Sequence, residues 1–115
     1  MNNEAHTRWI AHLHDIFEQH LDDAGLDNEQ LARALQLSER TLYRRVRALT
    51  GTSPTQYLRE YRLERARTMM MDGKLQTVKE IAYAVGFLNG GYFIKQYQQQ
   101  FAETPLETLK KAGWR

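Results

Sequence analysis

Leu31-Ala32-Arg33-Ala34-Leu35-Gln36-Leu37-Ser38-Glu39-Arg40-Thr41-Leu42-Tyr43-Arg44-Arg45-Val46 is the stretch that decides the fold, because its pattern returns later in the chain. Leu31, Ala32, Leu35 and Leu37 recur fifty residues on as Ile81, Ala82, Val85 and Phe87. After one inserted residue, Leu42, Arg44, Val46, Ser53-Pro54 and Leu58 recur fifty-one residues on as Phe93, Lys95, Tyr97, Thr104-Pro105 and Leu109. Self-similarity of this length marks a duplicated structural unit. Each copy reads as a short helix, a turn of about three to five residues and a longer helix with a basic outer face, the helix-turn-helix arrangement. Ala32 and Ala82 fall where two crossing helices leave no room for a larger side chain. At the turn position Gly86 fits the usual pattern, and Gln36 departs from it.

Outward from the repeat, apolar residues keep helical spacing and no alternating run of strand length occurs, so the chain is expected to be all-α. A first helix carries the stripe Trp9, Leu13, Ile16, Phe17, His20 and Leu21 and is expected to end at Ala24-Gly25, with an acidic opposite face. Asp27 with Gln30, and Thr77 with Glu80, are spaced as capping boxes for the two short helices. Ser38 caps the next helix, with Leu42, Val46 and Leu49 inward and Arg40, Tyr43, Arg44 and Arg47 outward, stopping at Gly51. Ser53-Pro54 opens a long helix through Tyr57, Leu58, Tyr61, Leu63, Ala66, Met69 and Met70, ended by Asp72-Gly73-Lys74. Tyr57 and Tyr61 are expected to pack as partners within it, and Met69-Met70-Met71 to form core and helix end. Further helices are expected at about Gly90 to Phe101 and from Pro105 through Leu106 and Leu109, with Trp114 folding back or fraying. The organisation is then 1–52 for the first helix and first helix-turn-helix, 53–73 for a linker helix, and 74–115 for the second helix-turn-helix and last helix.

The chain has 115 residues and no cysteine, one domain's worth of material without disulfides, Cys-ligated metal or a thiol nucleophile. No apolar run is long enough to span a bilayer and the start is too polar for a secretory signal, so a cytoplasmic location is expected. The formal net charge of +2 conceals a separation. Residues 1–32 hold Arg8 against seven acids, whereas residues 33–67 hold nine arginines against Glu39, Glu60 and Glu64. Arginine in place of lysine points to planar, forked recognition of phosphates or base edges, set against the plainer reading of a solvated basic face. His6, His12, His14 and His20 contain no i, i+4 pair for zinc, and neither a phosphate-cradling glycine loop nor an elbow serine is present. Neither an enzyme nor a cofactor is expected.

The stretch from Leu31-Ala32 through Leu37-Ser38-Glu39-Arg40-Thr41-Leu42-Tyr43-Arg44-Arg45-Val46 to Leu49-Thr50-Gly51-Thr52-Ser53-Pro54 resembles the AraC/XylS-type DNA-binding domain. The resemblance continues through Tyr57-Leu58, Arg62-Leu63, Ala66-Arg67, Ile81-Ala82, Val85-Gly86-Phe87, Tyr92-Phe93, Tyr97, Phe101 and Thr104-Pro105, and covers about residues 9 to 110. It implies about seven helices, two homeodomain-like helix-turn-helix units joined by the long helix, and binding to successive major-groove segments of double-stranded DNA. A linker rod of about 27 Å with its flanking motifs is of the order of the groove repeat, about 34 Å. The resemblance further implies a bacterial transcription regulator, expected to be an activator. The chain is then either a stand-alone member or the C-terminal domain of a larger protein with a sensor, receiver or dimerisation part.

Helix geometry selects Arg40, Tyr43, Arg44 and Arg47 for base readout in the first motif; in the second, the repeat matches Gly91, Ile94 and Lys95 to Arg40, Tyr43 and Arg44, and Gln96 is added as a polar side chain able to read adenine. Backbone contacts are expected from Arg33, Ser38, Thr41, Arg45, Gln98 and Gln99. Gly91 lacks a side chain, Ile94 offers apolar contact alone and Lys95 lacks the fork of Arg44, so the first motif is expected to dominate specificity. Arg44 has two plainer alternatives, a salt bridge to Glu39 or a phosphate contact. Glu4, Asp15, Glu18, Asp22 and Asp23 cannot lie on DNA and are expected to face away, with RNA polymerase or another domain as candidate partners and plain solvation as the simpler reading. The competing functional class is a helical protein–protein interaction module with residual nonspecific DNA affinity, favoured by the sparsely armed second helix.

Overall fold

The computed structural model describes residues 3–73 and 77–113; the expectations for Lys74 and Trp114 fall outside them. Among the described residues there are seven helices and no strand: α1 (Asn3–Gln19), α2 (Asn28–Ala34), α3 (Glu39–Thr50), α4 (Pro54–Asp72), α5 (Val78–Ala84), α6 (Gly90–Phe101) and α7 (Pro105–Lys111). They form two compact units. Unit 1 takes in the described residues up to His20 together with Gly25–Arg59, and unit 2 takes in Leu21–Ala24 and the described residues from Glu60 onward. Helix α4 belongs to both, with residues 54–59 in the first and 60–72 in the second.

Local chemistry sets the helix starts. Asp27 Oδ1 accepts from Gln30 N at 2.9 Å while Gln30 Oε1 accepts from Asp27 N at 3.2 Å, and Thr77 with Glu80 repeats the arrangement at α5. Ser38 and Asn89 cap α3 and α6 through the amides of Thr41 and Tyr92. Such caps satisfy amides that a helix start otherwise leaves bare, at about 1 kcal/mol each. Both turns close with the same bond, from Leu37 N to Ala32 O at 2.9 Å and from Phe87 N to Ala82 O at 2.8 Å. Ala32 and Ala82 are buried, as the helix crossing requires.

Unit 1 buries Leu13, Ile16 and Phe17 from α1, Leu31 and Ala32 from α2, Leu42 and Val46 from α3, and Leu58 from α4. Beside them the His14 ring stacks on Tyr57 at 5.7 Å, and His14 Nε2 shares a 2.7 Å hydrogen bond with the Tyr57 hydroxyl. Partial burial disfavours the charged imidazole and lowers its pKa, with Asp15 opposing the shift. In unit 2 the core is more aromatic. Phe87, Phe93, Tyr97 and Phe101 follow one another at ring separations of 5.2, 5.9 and 4.6 Å, packed with Leu63, Ala66, Met70, Ile81, Val85 and Leu109. Tyr97, fully buried where the first copy has Val46, meets Thr108 Oγ1 with its hydroxyl at 2.7 Å, so its polar atom has a partner.

One expectation is corrected. Helix α1 stops at Gln19 instead of running to Ala24; His20 N closes it onto the Ile16 and Phe17 carbonyls, and Leu21 leaves the stripe to be buried in the core of unit 2. Tyr57 lies beside His14 and Phe17, and Tyr61 packs against the core of unit 2. The methionine run meets its expectation of core and helix end: Met70 is buried and Met69 partly so, while Met71 is exposed beside the end of α4 at Asp72, as helical rotation demands.

Two non-glycine residues have left-handed backbone, Gln36 at φ 58° and Ala102 at φ 57°, where the opposite copy has Gly86 at 87° and Gly51 at 79°. Each copy thus spends one L-residue in a conformation that costs about 1–2 kcal/mol, partly offset by the lower unfolded-chain entropy of a non-glycine residue. Both side chains are exposed. Gln36→Gly and Ala102→Gly are each expected to raise stability by about 0.5–1 kcal/mol in urea unfolding; a loss would show that unfolded-chain entropy outweighs the strain. A second prediction concerns acid. Because the folded-state pKa of His14 lies below 6.5, the unfolded chain binds this proton first as pH falls below that value, so stability declines on acidification. Wild type is expected to lose more stability between about pH 7 and pH 5 than His14→Gln, which keeps a hydrogen-bonding group without titrating. Equal losses would contradict this.

Candidate nucleic-acid interface

Helix α3 separates its faces cleanly. Leu42 and Val46 are fully buried, and Arg40, Tyr43, Arg44 and Arg47, at i, i+3, i+4 and i+7, are exposed on the opposite side. Tyr43 is 48% exposed, on the same side as the three arginines. Gly51, left-handed, ends the helix.

The nine arginines of residues 33–67 have different duties, which the charge sum conceals. Arg33 pairs with Glu29 at 2.9 Å, Arg45 lies 5.2 Å over the Trp9 ring, and Arg67 lies 5.0 Å over Phe101. Arg62 is buried, and Arg59 and Arg65 are half-buried on α4. Arg40, Arg44 and Arg47 are left exposed with no ion pair or ring contact among the described residues. No bridge joins Arg44 to Glu39 among these residues, so the first plainer alternative for Arg44 falls away. The cationic block therefore narrows to three forks on one helix face.

The corresponding face of α6 is poorer in donors. Gly91, Ile94 and Lys95 are exposed, with Ile94 at 40%. Gln96 is half-buried and occupies the place that Arg45 has in the first copy; Gln98, exposed, is the residue that shares a face with Gly91, Ile94 and Lys95. The offset of fifty-one residues that relates Arg44 to Lys95 also relates Arg47 to Gln98, a signal present in the sequence. Gln99 is exposed as well. Sequence reasoning also passed over Tyr92, exposed in the first turn of α6 with its ring 6.0 Å from Phe87, and Leu88, 74% exposed just ahead of that helix.

The other backbone candidates have internal contacts. The Ser38 hydroxyl donates to Thr41 Oγ1 at 2.9 Å and accepts from Thr41 N at 3.1 Å, which fixes the start of α3. The Arg33–Glu29 pair is exposed on both sides, so it contributes at most about 1 kcal/mol and is easily exchanged for a phosphate. Among the described residues no group of three or more His, Cys, Asp or Glu could hold a metal ion, and no helix is long and apolar enough to cross a membrane.

Comparison with known proteins agrees with this geometry. The family model for a helix-turn-helix domain matches residues 31–111. The XylDLEGF operon transcriptional activator of Pseudomonas putida is 35% identical over 85 residues, which are 72% of this chain and 26% of that protein. The chain thus spans about a quarter of the length of that activator. Among solved structures, a transcriptional regulator with an AraC-type DNA-binding domain from Chromobacterium violaceum superposes with a TM-score of 0.84 at 26% identity, over 96% of both chains. The DNA-binding domain of AdpA, crystallised with a target DNA, superposes with a TM-score of 0.78 at 28% identity, over 88% of this chain and 89% of that one. With the duplicated motif, the two left-handed turns and the α3 face in place, the chain belongs to the helix-turn-helix domain family of the AraC/XylS type.

Proposed function

We propose that this chain is the DNA-reading part of a bacterial transcription regulator, an activator, that binds double-stranded DNA in a sequence-specific way, α3 and α6 each taking a major-groove segment. The observation that carries this reading is the α3 face: three uncommitted arginine forks and a tyrosine on one side of a capped, twelve-residue helix. Arg40, Tyr43, Arg44 and Arg47 contact base edges, each well-placed fork discriminating by about 1–3 kcal/mol. Arg33, the amides at the start of α3 and, in unit 2, Gln98 and Gln99 are suited to phosphates, which set register without reading sequence. Gln98 shares the groove-facing side of α6 with Gly91, Ile94 and Lys95, so it is a better reader there than the half-buried Gln96. Arg45, held over Trp9, serves chiefly to fix α3 against α1.

The second motif contributes backbone affinity and shape reading more than base choice, because Lys95 is the one cation in the α6 sequence. The likeness to activators several times its length supports a larger regulator with a sensor, receiver or dimerisation part. RNA polymerase is a further proposed partner, for the exposed acids Glu4, Asp15 and Glu18 of α1. The bacterial nucleoid is the corresponding location. One observation favours a protein partner instead: Tyr83, Leu88 and Ile94 are exposed in unit 2, and a groove there is lined by Val78, Lys79, Ala82, Tyr83, Gly90 and Ile94.

Competition binding at several salt concentrations separates the two motifs. Arg44→Ala is expected to lower the preference for cognate over random duplex by about tenfold or more, and Lys95→Ala to leave preference intact while flattening the salt slope by about one. Equal loss of preference from both would overturn the division of labour.

A further inference from the structure

The turn of the second motif is clamped in a way the first is not. A Cβ on Gly86 would lie 2.7 Å from the Leu21 carbonyl oxygen and 2.9 Å from Arg62 Cζ, so the backbone of this turn runs between the 21–24 segment and a guanidinium. Arg62 is only 7% exposed, and its Nη2 donates to the Asp23 carbonyl oxygen at 2.7 Å. One forked side chain on α4 thus ties down the 21–24 segment and covers the turn that launches α6. In the first motif the same turn position is the exposed Gln36, with an L side chain tolerated there.

A buried guanidinium is costly unless its donors and charge are answered. Here the answer is partial: Nη2 reaches the Asp23 carbonyl and the charges of Asp23 and Asp22 oppose the effect of burial on Arg62, while the buried Nε makes no hydrogen bond among the described residues. Asp22 and Asp23, two of the five acids expected to face away, remain exposed, and it is the backbone carbonyl of Asp23 that the guanidinium holds. Lysine could not replace this arrangement, since an ammonium supplies a point charge without the planar fork that spans a carbonyl and a turn.

We infer that Arg62 is a positioning residue for DNA binding: through the 21–24 segment and the Gly86 turn it fixes α6, whose few donors act as a rigid backbone and shape reader. This rests on the DNA-binding reading above. A helix with one lysine and several glutamines gains phosphate contacts only if they all arrive together, so its contribution depends on the turn being held.

The test compares wild type, Arg62→Met, Arg62→Lys and Gly86→Ala by hydroxyl-radical footprinting on duplexes that wild type recovers from a random pool. Hydrogen exchange of the free proteins is measured alongside. The expected result for all three variants is loss of protection over the α6 segment with the α3 segment still protected, about tenfold weaker total affinity, and a salt slope lower by about one or more. Amides of Gly86 and Phe87, which bond to the Tyr83 and Ala82 carbonyls, are expected to exchange about tenfold faster in Arg62→Met than in wild type. If Arg62→Met keeps both protected segments, if both weaken alike, or if Lys restores wild-type behaviour, the positioning role is overturned. If Arg62→Met does not fold, Arg62→Lys, which keeps the charge and most of the apolar stem but lacks the fork, decides by the same criteria. A wild-type footprint with a single segment would instead sink the two-motif reading, and the exchange rates at Gly86 and Phe87 would then decide the clamp alone.

Discussion

A helix-turn-helix unit presents its second helix in a defined direction only if the first crosses it closely enough for the turn to close, and in both copies that closure passes through an alanine. The carbonyls of Ala32 and Ala82 accept the amides of Leu37 and Phe87, five residues on, and the methyl groups are buried at the crossing. A longer side chain there would part the helices and break the closing bond. The left-handed residue inside each turn and the caps that start α3 and α6 follow from this one constraint, because the chain has only a few residues in which to reverse.

From that shared frame the copies diverge chemically. In α3 the buried side is aliphatic and small, and the outer side carries arginines that nothing else in the described residues engages. In α6 the buried side is aromatic, with Tyr97 hydrogen-bonded to Thr108, and the outer side carries glycine, isoleucine, one lysine and glutamines. The first is armed and lightly held at its turn. The second is lightly armed and firmly held, by Leu21, Asp23 and Arg62.

Much of this was legible in the residues. The repeat predicted both motifs, the capping boxes at Asp27–Gln30 and Thr77–Glu80 marked two helix starts, and the outward set of α3 followed from a period of 3.6. The end of α1 was hidden, because Leu21 continues the apolar stripe in spacing yet is buried in another unit. Arg62 was hidden too: a guanidinium on a long polar helix looks solvated until the carbonyl of Asp23, thirty-nine residues earlier, and the Gly86 turn further along the chain are placed beside it. Summed charge could not separate arginines that stack, pair or support from those that are free. Local pattern specifies which face a side chain takes, and only packing specifies what it meets there.

On the proposed reading, the α3 arginine face chooses bases while α6 adds affinity and shape. Selection from random duplexes at about 0.15 M salt, where nonspecific phosphate binding is subdued, tests it most directly. The expected outcome is one strongly enriched half-site, flanked about one helical turn away by a segment constant in shape but loose in sequence. Two equally sharp half-sites at that spacing, or no enrichment by a folded protein, would contradict it.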